Sequence, residues 1–83
     1  MYRISGESVL FDWLAKELDA NRRQIMLDWL VGFAQDPLQH AQRIPAISAP
    51  TYLVLTSCPN VVLKFLHAEI FHVVLLIEIR ALP

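Results

Sequence analysis

Residues 52–79 read YLVLTSCPNVVLKFLHAEIFHVVLLIEI, and the way this stretch folds decides the architecture. Only Lys64, Glu69 and Glu78 carry charge within it. Its β-branched enrichment favours strands, and one continuous helix over residues 61–80 is the rival. Three strands are expected. Residues 52–56 come first, and Ser57-Cys58-Pro59-Asn60 supplies turn chemistry, proline by its fixed φ and asparagine by its tolerance of left-handed backbone. Residues 61–67 follow. A second turn near Ala68-Glu69 lacks the glycine, proline or asparagine that usually marks one. Residues 72–79 close the set. Simple alternation puts Val73, Leu75, Ile77 and Ile79 on one face and Val74, Leu76, Glu78 and Arg80 on the other.

So apolar a sheet needs cover, and the upstream chain supplies it. Val9, Leu10, Trp13, Leu14 and Leu18 fall at helical spacing, with Asp12, Lys16, Glu17 and Asp19 on the opposite side. Ser5 or Ser8 can cap that helix. Asn21 and Gln24 have the spacing of a capping box for a second helix, which carries Ile25, Met26, Trp29, Leu30 and Phe33 on one stripe. Asp36-Pro37 ends it, because proline has no N–H for the helical ladder and restricts the residue before it. A helical hairpin over about residues 8–35 results. Tyr2-Arg3-Ile4 reads as a short first strand. Residues 36–51 form an irregular connector holding Pro45 and Pro50, with one helical turn at 39–43. The expectation is a single α+β domain over residues 1–83: a helical hairpin packed on a three- to four-stranded antiparallel sheet, with its meander over residues 52–80.

Composition sets limits on function. The 83 residues are 55% hydrophobic, against roughly 45–50% in ordinary soluble domains. A chain this short has little interior in which to place the surplus, so a protein partner or a second copy of the chain is expected to cover it. The net charge of −1 and pI near 6.2 disfavour direct nucleic-acid binding, which draws on a basic surplus. Arg22-Arg23, flanked by Asp19 and Asp28, reads as a solvated pair. The single cysteine, Cys58, excludes an internal disulfide; it reads as a small packing residue and fits a reducing, cytoplasmic setting. The N-terminal MYRISGESVL lacks the apolar run of a signal peptide. Lys64, His67, Glu69, His72 and Glu78 interrupt the most apolar stretch, so no membrane span is expected. With two glycines there is no phosphate loop, and no metal-ligand spacing occurs. No cofactor or metal is expected.

A short strand, a helical hairpin ending at Asp-Pro, a connector and an antiparallel meander make a distinctive order. Together with DPLQHAQRI (36–44), TYLVLTSCPNVVLKFLHA (51–68) and HVVLLIEIR (72–80), it resembles the RelE/ParE superfamily of type II toxin–antitoxin toxins. The resemblance implies a helical pair on a small antiparallel sheet, neutralised by an antitoxin whose C-terminal segment wraps the toxin. One branch of that family cleaves messenger RNA in the ribosome, and the other inhibits DNA gyrase.

The nucleases of the family resemble one another in carrying many basic side chains on the sheet. Metal-free RNA cleavage needs groups that activate the 2′-hydroxyl, protonate the leaving oxygen and stabilise the crowded phosphate. From Pro45 onward this chain offers only Lys64, His67, His72 and Arg80. Val61-Val62 stands where the family commonly has an arginine, while Arg80 lies near the basic residue that ends the last strand. The expected function is therefore a toxin-like protein acting by protein–protein contact, of the ParE-like gyrase-inhibiting type or an inactive relative. Trp13, Trp29, Phe65 and Phe71 are the candidate partner contacts. A non-toxic assembly module dimerising through its sheet, and a ribosome-dependent mRNA endonuclease using Arg80, Lys64, His67 and His72, are the alternatives.

Overall fold

The computed structural model describes residues 1–82. In chain order it contains β1 (Arg3–Ser5), α1 (Glu7–Lys16), α2 (Ala20–Phe33), β2 (Gln42–Arg43), β3 (Thr51–Leu55), β4 (Val61–Ala68) and β5 (Val73–Ala81). The strands form one sheet in the order β1-β5-β4-β3-β2. The stretch 61–80 is therefore two strands and not one helix. The sheet has five strands, one more than expected at most, and it is mixed: β3, β4 and β5 are an antiparallel meander, whereas β1 runs parallel to β5.

Both helices lie on one face. Along β4 the burial alternates strictly, with Val61, Leu63, Phe65 and His67 buried against them and Val62, Lys64, Leu66 and Ala68 on the open face. Met26, Leu30 and Phe33 of α2 meet Val54, Leu63, Phe65, Val74 and Leu76 in the core. Phe65 is at its centre, 5.0 Å from Phe33 edge-on and 5.7 Å from Tyr52 stacked, between ring centroids.

The alternation expected for β5 breaks midway. The register slips between Lys64 and Phe65, so that Phe65 pairs with Leu76 while Lys64 pairs with Glu78, and Ile77 is the extra residue. A bulge of this kind moves every later side chain to the other face. Val74, Leu76 and Ile79 point to the core, and Glu78 and Arg80 emerge on the open face. Without the slip, Glu78 and Arg80 would follow Leu76 into the apolar layer, where unpaired charge is costly.

Local signals account for most boundaries. Asn60 takes the left-handed conformation (φ 61°) in the turn before β4. The unmarked second turn is a single 3-10 turn, Glu69–Phe71, closed by His72 at φ 51°. Histidine is among the few non-glycine residues enriched there. Residues 42–43 form the short edge strand β2 and not part of a helical turn. The helix starts also differ from expectation. Gly6, and neither serine, sits at the α1 N-cap, and α2 is capped by Asp19, whose carboxylate accepts the Asn21 backbone N–H at 2.8 Å. Gln24 reaches forward to Asp28 instead of back to the cap. Asp19→Ala is expected to cost about 1 kcal/mol, a fall in Tm of roughly 4–8 °C for a domain of this size. Thermal unfolding followed by circular dichroism measures it, and an unchanged Tm would show that the cap contributes nothing.

Candidate functional site

The open face of the sheet is a surface that neither helix covers. Its rows follow from the strand register. Leu53 stands beside Lys64, which faces Glu78; Leu55 stands beside Val62, which faces Arg80; Leu66 faces Leu75. Leu55 is 65% exposed and Leu75 is 40% exposed. The face is thus a leucine- and valine-rich surface carrying Lys64 opposite an acid, with Arg80 at one end. Among the described residues the one ion pair is Arg22 with Glu17, at the α1–α2 corner, and it holds the Arg22 guanidinium pKa above its ordinary value.

The candidate acid–base residues do not converge. Lys64 and Arg80 share the open face, in neighbouring rows. His67 lies on the opposite face, 8% exposed. His72 sits in the β4–β5 turn, and the ring of Tyr2 links the two, 5.0 Å from His67 and 4.8 Å from His72. Lys64 and Arg80 are thus separated from His67 by the thickness of the sheet and from His72 by its place in the turn, and no acid–base set is assembled.

His67 instead borders a cleft of about 550 Å³ at the end of the sheet, lined among others by Tyr2, Tyr52, Arg43, Asp36 and Glu69. Its rings pack on one another through His67, 5.0 Å from Tyr2 and 6.2 Å from Tyr52, and Tyr52 carries the Arg43 guanidinium 6.0 Å from its ring centre. Tyr2, Arg43 and Tyr52 escaped sequence reading because they come from the segment before β1, from β2 and from β3, and only the sheet order brings them together.

The candidate partner contacts divide. Phe65 is completely buried and has no surface to offer a partner, which corrects its assignment; its place in the alternation of β4 puts it among the core residues. Trp13 and Trp29 are half-buried against the core, with Trp29 stacked on Phe33 at 4.8 Å. Phe71, by contrast, is 76% exposed at the turn. Cys58 is fully buried, and burial pushes its thiol pKa up, partly offset by the nearby Arg22. A thiol so placed is a poor nucleophile.

Among the described residues no helix is long and apolar enough to cross a membrane. No protein-family model matches the chain, and no curated relative does. Among solved structures it is similar to the isolated RelE toxin of E. coli, with a TM-score of 0.73 and 18% sequence identity over 100% of this chain and 86% of that one. The chain therefore has the RelE toxin fold, a helical hairpin on one face of a small α+β sheet.

Proposed function

We propose that the chain is a toxin-like component of a type II toxin–antitoxin system that acts by protein–protein contact in the cytoplasm, in the manner of the ParE-like, gyrase-inhibiting branch, and is neutralised by an antitoxin-like partner. The fold it shares with a RelE toxin supports the toxin part of this reading. The observation that carries the mechanism is the chemistry of the open sheet face. A face that grips RNA presents rows of cations to the phosphates. Here those rows hold Leu53, Leu55, Val62, Leu66 and Leu75, and Lys64 is set opposite Glu78. An apolar, half-exposed surface of this kind is suited to a protein.

The test is growth of a bacterial host producing the chain alone, with and without a candidate antitoxin. Arrest without cleavage of translated messages is expected. Leu55→Asp should abolish the arrest, because it places a charge among the apolar side chains of the contact, and the exposure of Leu55 leaves the fold unaffected by circular dichroism. Lys64→Ala should leave the arrest intact. Message cleavage that disappears in Arg80→Ala would establish the endonuclease reading instead. Normal growth with soluble protein would favour an assembly module.

A further inference from the structure

The β4–β5 turn presents two adjacent large apolar side chains to solvent, Ile70 at 90% and Phe71 at 76% exposure. The presentation is rigid. His72 closes the turn in left-handed backbone, its N–H donates to the Glu69 carbonyl at 3.1 Å, and the Arg3 N–H donates to the His72 carbonyl at 2.8 Å. Tyr2 then packs its ring on His72 from the side. A buttressed pair of this kind loses little entropy on binding, which is the property of an interface anchor.

The same chain contains a receptor. Between β1 and the two helices runs a groove of about 450 Å³, walled by Ile4, Leu10, Leu27, Leu30, Val31 and Leu76. That volume is within the ~300–1,000 Å³ of pockets that enclose small ligands, enough for the ends of two side chains. The Ile70–Phe71 tip and the groove lie on either side of the start of β1: Arg3 pairs with Val73 just after the tip, and Ile4 lines the groove. Because the tip points into solvent, it does not fill the groove of its own molecule.

We infer that the partner for this surface is a second copy of the chain, related by a twofold axis, each copy seating Ile70 and Phe71 in the groove of the other. Charge selects this occupant. Arg3 and Glu7 border the groove, and Glu69 and His72 border the tip. Among the described residues none of the four has an ion-pair partner within its own chain. The reciprocal arrangement sets Arg3 against the Glu69 of the other copy, and Glu7 against its His72. Since tip and groove are neighbours, both contacts form at once, as a closed isologous dimer requires. The open sheet face stays free, so the inference is independent of the proposed function.

Sedimentation over a concentration series tests it. The chain is expected to form a dimer and no larger species. The double substitution Ile70→Ser, Phe71→Ser should weaken association at least about 30-fold, the loss typical of removing a central anchor. Val31→Lys, made at an exposed groove position, should weaken it as well, and Leu55→Asp on the open sheet face should not. Arg3→Glu and Glu69→Arg should each weaken the dimer, and the two in one chain should restore it, because every copy contributes one of each. Circular dichroism confirms the fold of each variant. A monomer at the highest soluble concentration, open chains that lengthen with concentration, a tip variant that dimerises like the parent, or failure of the charge swap to restore association would each overturn the inference.

Discussion

Phe65→Ala is expected to remove about 3–5 kcal/mol of stability, the range for truncating a fully buried aromatic residue. Whole domains are stable by only ~5–15 kcal/mol, and small ones sit towards the lower end. The variant should therefore be largely unfolded at mild urea concentrations, if it folds at all. The size of the loss follows from position. Phe65 is 0% exposed and contacts Phe33 from α2 and Tyr52 from β3, so one ring joins the helical layer to two strands. It also adjoins the register slip that turns Glu78 away from the core, so a cavity there would loosen the segment that keeps a charge out of the apolar layer. Phe71→Ala, measured at dilutions where the chain is monomeric, is the control. Its ring is exposed, and the stability change should stay within about 0.5 kcal/mol of zero. Urea denaturation of both variants separates the roles of the two phenylalanines, and a Phe65→Ala midpoint equal to that of the parent would contradict the packing described for the core.

The contrast between these residues shows what the sequence discloses. Both are phenylalanines in the same apolar stretch, and composition alone cannot separate them. The alternation of β4 does: Val61, Leu63, Phe65 and His67 are two residues apart, so the period alone puts Phe65 inside. Reading Phe65 as a partner contact gave its hydrophobicity more weight than its parity. The helical hairpin and the meander were legible because their signals are local, in periodic stripes, Asp36-Pro37 and Ser57–Asn60. The parallel attachment of β1, the two-residue β2 and the bulge at Ile77 were not. Each arises from pairing between segments far apart in the chain, and no local residue pattern specifies it. The turn at 69–72 was hidden because histidine, in place of glycine or asparagine, takes the left-handed position.

The candidate site divides along the same line. That Lys64 and Arg80 share a face depends on the slipped register, whereas the parity of β4 alone puts His67 on the other face. Strict alternation would put Arg80 on the face of Val74 and Leu76. The chemistry of the open face was nevertheless readable as composition, since residues 51–68 contain a single lysine and no arginine. A common fold does not carry activity with it; the residues on the working surface do. At 18% identity to a RelE toxin, the scaffold is retained while the surface is free to take a different chemistry.

Gly6→Ala is expected to cost about 2–4 kcal/mol, and its effect should reach beyond its own turn. Gly6 has φ 79°, where a side chain costs roughly 1–2 kcal/mol. An added Cβ would also stand 2.7 Å from the Leu76 carbonyl oxygen, a backbone atom that cannot swing aside. Relief requires β1 to move away from β5, which breaks the pairing of Ile4 and Ser5 with Val74 and Leu75 and the Arg3 contact that supports the His72 turn. Hydrogen exchange at the amides of β1 should therefore accelerate more than at β3, while Tm falls by roughly 8 °C or more. The groove wall formed by Ile4 would shift with the strand, so the dimer should weaken in the same variant. Gly32→Ala supplies the opposite sign: it lies within α2 with nothing inside 4 Å of the added Cβ, and the exchange should stabilise the helix by about 0.5–1 kcal/mol. Equal and small effects at both glycines would mean that the left-handed turn at Gly6 does not set the position of β1, and a loss confined to Gly6 with rapid exchange along β1 would establish that it does.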